Sequence, residues 1–360
     1  MTVPSLALQS PIGTHDSISY VGHSLLRALA DLGHDPGLFP ALGTPYSALQ
    51  PVHLRALARG RQQRLRSPHR VDRLLVWNGY TQAPRIPARS REAIVYWDSD
   101  TLSDQAARVL RGYDRVWGVS SFVADTIGRF GIAAGVLSHG VWPDELPPWS
   151  PPSGGPVTFL HLGQVCYRKG TDLLLRAFQA AFGYMQADVK LVIKCWPSHA
   201  ELAYRWIAEF ALGDRRIEVD SQAVPRHQLG AYFQHAHAVV LPSRCEAFGL
   251  VGLEALAYGR CLIAADFSGP RDYLADDCIR VPAHTVVPAE LYPGSAAECA
   301  VADLADVLRE VAADPDGAVR LGRAARERVL RDWTWLAGLR RAGFGGGTDL
   351  KAAQRQVNYG

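Results

Sequence analysis

The sequence predicts an α/β protein built from two Rossmann-like domains whose parallel sheets face a central cleft. Three observations carry that expectation. The chain opens as a strand, a glycine-bearing loop and a helix, the first unit of a nucleotide-binding sheet. Short apolar runs then alternate with helical stretches, which argues for parallel strands covered on both faces. After a Pro- and Gly-rich stretch at 143–156, the same order begins again at Val157. A length of 360 residues suits two cores better than one.

The elements follow in order. An apolar run from Val3 to Leu8 suits a buried strand, and Pro11-Ile12-Gly13-Thr14-His15-Asp16 is the loop after it. Ile18, Val21, Leu25, Leu29 and Leu32 then fall on one helical stripe, with Asp16 or Ser17 as N-cap and Gly33 as stop. Further strands are expected at Arg73–Trp77, Ala93–Trp97 and Arg115–Val119. The second half supplies strands at Val157–Leu162, Val189–Lys194, Ile217–Val219, Ala238–Leu241 and Cys261–Ala265. The expected division is therefore a first domain over 1–142, a linker over 143–156, a second domain over 157–335, and a crossover and tail over 336–360.

Composition narrows the function classes. Hydrophobic residues make up 48% and charged residues 20%, an ordinary globular balance, and a net charge of +3 names no partner. The six cysteines all lie in the second half without a C-x-x-C pair, so neither a zinc site nor a disulfide framework is indicated. No basic-then-apolar leader opens the chain, and no apolar stretch approaches the ~20 residues needed to span a bilayer. The expectation is a cytoplasmic protein. One segment departs from the balance: Arg55, Arg59, Arg61, Arg64, Arg66, Arg70 and Arg73 stand against a single acid, Asp72. It reads as a solvated helix face, as a surface for an anionic acceptor such as nucleic acid, or as a contact with an anionic membrane presenting a lipid-linked acceptor.

The chemistry concentrates in Ser243–Gly259. A helix from about Gly249 to Tyr258 places Glu246 in the loop before it and Glu254 in its second turn. The free N–H groups of the first turn between them suit an anionic diphosphate. Two carboxylates flanking such a site suit ribose and sugar hydroxyls, because a carboxylate accepts from two vicinal OH groups. This stretch resembles the E-x7-E motif of retaining glycosyltransferases of the GT-B fold, specifically glycosyltransferase family 4. The resemblance continues through Asp266–Leu274, through the loop of Phe159–Gly170 and at Asp332-Trp333-Thr334-Trp335. It is thinner in the first half, at Tyr96–Asp100 and Asp114–Phe122.

The resemblance implies transfer of a sugar from a nucleotide diphosphate, UDP or GDP, with no cofactor and no metal. It implies that Glu254 holds the ribose, that Glu246 touches the donor sugar and that Lys169 neutralises the departing diphosphate. Gly13, Gly163, Gln164, Phe248, Gly249 and Leu250 join the donor site, and His15, Asp98, Asp100 and Ser120 the acceptor side. Gln164 stands where the family usually has an arginine, and Arg168 beside the lysine either supplies that charge or points to solvent. Trp142 also departs from the family, which often has an aspartate after His139-Gly140-Val141. Asp98-Ser99-Asp100 imitates the D-x-D of a metal-dependent transferase, although a strand-end loop and helix cap is the plainer reading. The alternatives are a nucleotide-sugar epimerase or hydrolase on the same fold and a non-catalytic partner subunit.

Overall fold

The computed structural model describes residues 5–11, 17–40, 71–81, 86–152, 154–183 and 187–345. The chain forms two compact units. The first comprises Met1–Trp97, Thr101–Gly140 and Thr334–Gly360, and the second Asp98–Asp100 and Val141–Trp333.

In the first unit, β1 (Leu6–Ser10), β2 (Gly37–Pro40), β3 (Val71–Trp77), β4 (Ala88–Val95), β5 (Arg115–Gly118) and β6 (Ala134–Val136) form one sheet in the order β2-β1-β3-β4-β5-β6. Every pairing is parallel. The strands are buried on both faces at their centres, as Leu8, Leu74, Ile94 and Val116 show. The helices are α1 (Ser17–Asp31), α2 (Asp104–Leu110) and α3 (Ser121–Gly128). The apolar stripe of α1 buries Val21, Leu25 and Leu29, and Gly33 ends it at φ 84°. Strand β4 runs earlier than its apolar core suggests: Ala88–Glu92 pairs with β3 although it carries two arginines and a glutamate.

The second unit repeats the plan. Its sheet joins β7 (Val157–Leu162), β8 (Val189–Lys194), β9 (Ile217–Asp220), β10 (Ala238–Leu241), β11 (Cys261–Ala265) and β12 (Ile279–Val281) in the order β12-β11-β10-β7-β8-β9, all parallel. Around it lie α4 (Thr171–Phe182), α5 (Ala200–Phe210), α6 (Leu229–His235), α7 (Leu250–Ala257), α8 (Val301–Ala313) and α9 (Pro315–Asp332). Phe159, Phe178, Phe182, Ile193, Val240 and Ile263 fill the core. An antiparallel hairpin, β13 (Ala283–Pro288) and β14 (Ser295–Cys299), stands apart from the main sheet. The last helix, α10 (Trp335–Arg341), packs on α1 in the first unit, where Tyr20 meets the Trp335 ring at 6.2 Å.

The Pro-rich stretch after 142 is tied to the second unit. Arg326 donates to the Pro147 carbonyl at 2.8 Å, Arg260 donates to that of Ser150 at 2.7 Å, and the Arg323 guanidinium lies over the Trp149 ring at 5.2 Å. All six cysteines are free, and five are buried. No described helix is long and apolar enough to cross a membrane.

Candidate active site

The second sheet reverses its strand order between β7 and β10, because β8 and β9 extend to one side of β7 and β11 and β12 extend beyond β10. At such a switch point the loops after the two strands diverge and leave a crevice beyond the strand ends. Here those loops are 163–170 and 242–249, the two segments that carry the sequence motif. Gly170 makes their approach possible. It sits at φ 68°, and a Cβ there would lie 2.1 Å from the Pro242 carbonyl oxygen. The Arg244 N–H then donates to the Arg168 carbonyl at 2.8 Å, joining the loops through the backbone.

Lys169, Arg168 and Glu246 converge across this junction. Lys169 Nζ donates to Glu246 Oε1 at 2.5 Å, and the Ser243 hydroxyl donates to the same oxygen at 2.8 Å. Arg168 Nη1 lies 3.4 Å from Glu246 Oε2 and donates to the Cys245 carbonyl at 3.1 Å. Arg168 therefore turns into the site, with its side chain 10% exposed, while Gln164 is exposed. Burial alone raises a carboxyl's pKa, but Lys169 and Arg168 overcome it and hold Glu246 at about 2. Burial works against the Arg168 cation as well, and Glu246 and Asp98 outweigh it, so its pKa rises.

Behind the loop, His161 braces the start of α4. Its Nδ1 faces the Val240 carbonyl and its Nε2 the Thr171 hydroxyl, both at 3.0 Å. Burial lowers its pKa to about 4, and with a carbonyl as partner Nδ1 carries the proton of a neutral ring.

Glu254 lies in the second turn of α7 and forms an ion pair with Arg226, from the turn before α6. Gly249, at φ 77°, is the residue before the helix. Leu250 begins it half-buried. Phe248 is a core residue: its ring packs on Tyr273 at 5.4 Å and on Trp333 at 6.2 Å, so only its backbone is left to face a ligand.

Asp98 and Asp100, expected on the acceptor side, are held by contacts within the second unit. Both belong to the second unit, where Asp98 Oδ1 accepts from the Ala247 N–H at 2.6 Å and Oδ2 lies 3.5 Å from Arg168 Nη1. Asp100 accepts from the Ser295 N–H at 2.6 Å, and the Ser99 hydroxyl donates to the Pro293 carbonyl at 2.7 Å. The cap of α2 is Ser103, not an aspartate. Burial raises the Asp98 pKa against the pull of Arg168. Among the described residues no three His, Cys, Asp or Glu side chains gather as metal ligands.

Ser120 caps α3 by accepting from the Val123 N–H at 3.3 Å. His139 lies between the rings of Trp77 and Trp335 in the first unit, and burial lowers its pKa to about 3. Trp142, at the other departure from the family pattern, is buried at 4% exposure. Gly13 and His15 lie outside the described residues, as does the basic segment up to Arg70. Arg73 is described and is withdrawn from that segment: it forks onto buried Glu92 at 2.8 and 3.1 Å and stacks over Phe344.

Sequence reasoning missed the residue that organises the site. Arg244 is 2% exposed and grips both oxygens of Asp172 at 2.7 and 2.8 Å and Glu298 at 2.7 Å. Its guanidinium also covers the Tyr167 ring at 3.5 Å. One side chain thus ties the loop after β7, the start of α4 and the hairpin strand β14 to the end of β10. Glu290 adds a second tie by accepting from the Arg168 N–H at 2.8 Å.

Two parallel six-stranded sheets, with this convergence at the switch point of the second, define the chain as a GT-B protein, and solved structures share its fold. The sucrose-phosphate synthase of Thermosynechococcus elongatus aligns over 99% of both chains with a TM-score of 0.69 and 19% identity. Anabaena Alr3699/HepE, solved in complex with UDP and glucose, covers 95% of this chain and 98% of its own, with a TM-score of 0.66 and 14% identity. Residues 97–341 match the family described as family 4 glycosyltransferase in conflict systems, and the chain belongs to that family.

Among curated proteins, the alpha-maltose-1-phosphate synthase of Mycolicibacterium smegmatis is 28% identical over 178 residues, covering 48% of this chain and 43% of the relative. The D-inositol 3-phosphate glycosyltransferase of Kribbella flavida is 32% identical over 158 residues, covering 44% and 33%. The match thus spans less than half the length of either relative.

Proposed function

We propose that this chain transfers a hexose from a nucleoside diphosphate sugar to an acceptor hydroxyl, with retention of anomeric configuration and without a metal. The observation that carries the reading is the convergence of Lys169 and Arg168 on Glu246, with Glu254 eight residues on, at the switch point of the second sheet. In the donor complex Lys169 and Arg168 face the diphosphate, Glu254 accepts from the ribose hydroxyls and Glu246 from the sugar. Gly163, Gln164, Gly249 and Leu250 border the same ligand.

The chemistry follows from charge. As the bond between the anomeric carbon and the phosphate oxygen breaks, its electron pair leaves with the diphosphate. Fixed cations stabilise that charge more than they stabilise the intact donor, which is the difference that accelerates the step. The acceptor hydroxyl attacks from the face being vacated, and the departing phosphate oxygen takes its proton. No separate general base is required. Asp98 and Asp100 spend their carboxylates on backbone N–H groups and on Arg168, so Lys169 and Arg168 supply the positive charge in this reading.

UDP or GDP is the nucleotide in this proposal, and a complex with UDP and glucose is the form in which the Anabaena neighbour was solved. On the acceptor side, the arginine-rich stretch of sequence from Arg55 would suit an anionic acceptor or an anionic membrane surface at the cytoplasmic side. A thermal-shift screen against UDP-, GDP-, ADP- and TDP-sugars tests the donor. A ligand at a hundred times its Kd adds about 2.7 kcal/mol of stability, and no shift with any of the four contradicts the reading. Turnover that disappears in EDTA and returns with Mn or Mg contradicts the metal-free step.

A further inference from the structure

Among the arginine–carboxylate pairs described in the second unit, those of Arg244, Arg328 and Arg168 are all largely enclosed, and the last is unlike the other two. Arg244 closes on Asp172 at 2.7 and 2.8 Å, and Arg328 closes on Asp277 at 2.6 and 2.7 Å. Both are saturated forks of the kind that fix a fold. Arg168 is largely enclosed too, yet its Nη1 makes one ordinary hydrogen bond, to the Cys245 carbonyl at 3.1 Å, and lies 3.4 Å from Glu246 and 3.5 Å from Asp98, too long for strong bonds to either carboxylate. Its Nε, also buried, has no acceptor. A buried guanidinium with five donors and loose partners is under-satisfied, which is costly unless another acceptor arrives.

Asp98 shows the complementary pattern. Its one short bond is to the Ala247 N–H, at 2.6 Å. A backbone N–H beside a guanidinium is a seat for an anion, and here a carboxylate of the protein occupies it.

We propose that Asp98 is an internal counter-ion which stands in for the donor's diphosphate, holding Arg168 until a phosphate oxygen takes over its donors. The proposal rests on the donor site described above. Without ligand, Arg168 and Lys169 balance Asp98 and Glu246, and the cluster is neutral. A diphosphate entering it must compete with Asp98 for Arg168. The competition disfavours adventitious anions that offer only charge, and admits a ligand whose ribose and sugar hydroxyls bring further contacts. Asp98 is thus a selectivity residue, although its sequence setting imitates a metal-binding D-x-D.

The test is calorimetric titration of UDP, GDP and inorganic pyrophosphate into the wild type, Asp98→Asn, Arg168→Gln and the double variant. Asn keeps an acceptor for the Ala247 N–H and removes the charge; Asp98→Ser is the second choice if Asn impairs folding. A charge-assisted hydrogen bond that Arg168 no longer shares with Asp98, and gives to a phosphate oxygen instead, is worth about tenfold or more in affinity. Asp98→Asn is expected to bind the preferred nucleoside diphosphate about tenfold tighter, with a larger gain for pyrophosphate. In the Arg168→Gln background the same change should alter affinity by no more than about twofold. Equal or weaker binding by Asp98→Asn overturns the proposal and leaves the donor site standing. No binding of either nucleoside diphosphate to the wild type or to Asp98→Asn overturns both.

Discussion

Arg244→Met removes the hub of the site while keeping side-chain length and apolar bulk. In the folded protein it leaves Asp172, at 9% side-chain exposure, and Glu298, at 24%, without their cation. Removing one partner of a buried pair costs about 3–5 kcal/mol, because the remaining charge stays desolvated. Glu298 is open enough to recover part of its hydration, so the lower end, about 3 kcal/mol, is expected. At roughly 2–4 °C per kcal/mol for a unit of this size, the melting temperature should fall by about 10 °C. Arg244→Lys restores the charge but not the planar fork or the cover over Tyr167, and should recover less than half of the loss. Thermal unfolding of the full chain, followed by fluorescence and by calorimetry, reads both variants. A loss below about 1 kcal/mol for Arg244→Met would refute the reasoning, since the cluster would then be a hydrated surface network.

The other predictions concern the charged side chains around this hub. Lys169→Ala should lower kcat by about 100-fold, with a smaller effect on donor affinity, because its charge acts most on the leaving diphosphate; an unchanged kcat places it outside the site. Glu254→Gln should weaken donor binding by ~10- to ~150-fold at nearly constant kcat, whereas Glu246→Gln should act chiefly on kcat; the same pattern in both variants contradicts the assigned roles. The pH dependence of stability has two windows. Glu246 titrates at about 2 when folded, so its stabilising charge is fully present above the ordinary carboxylate range and is lost as pH falls toward 2; Glu246→Gln should flatten that part of an acid-unfolding curve. His161 titrates at about 4 when folded, so the unfolded chain binds its proton first and stability declines as pH falls from about 6.5 to about 4, by on the order of 3 kcal/mol; His161→Gln should remove that decline.

The parts of this structure that are local in sequence were the legible ones. Strands β7, β8, β10 and β11 fall on the largely apolar runs expected of them, because a strand buried on both faces leaves a mostly hydrophobic segment. The loop ahead of α7 was legible through the spacing of Glu246 and Glu254 and Gly249 between them. Strand β4 was legible only in its apolar second half, since Arg89, Arg91 and Glu92 hide the first. The β13–β14 hairpin carries no such run and gave no signal. Arg244 meets Asp172 and Glu298 across 72 and 54 residues of chain. Asp98 reaches Ala247 across 149. Nothing in a local pattern announces such pairings; they exist because parallel strands bring their C-terminal ends to one edge. For the same reason the D-x-D-like spelling at Asp98 did not disclose its partners, which are an arginine and a backbone N–H from elsewhere in the fold.

The most direct test of the central claim is a crystal structure of the protein with its preferred nucleoside diphosphate. The account predicts the diphosphate at Lys169 Nζ and the Arg168 guanidinium, the ribose hydroxyls on Glu254, and Glu246 left facing the vacant sugar position. A diphosphate bound away from the loop 163–170, or a ribose that does not touch Glu254, would contradict it.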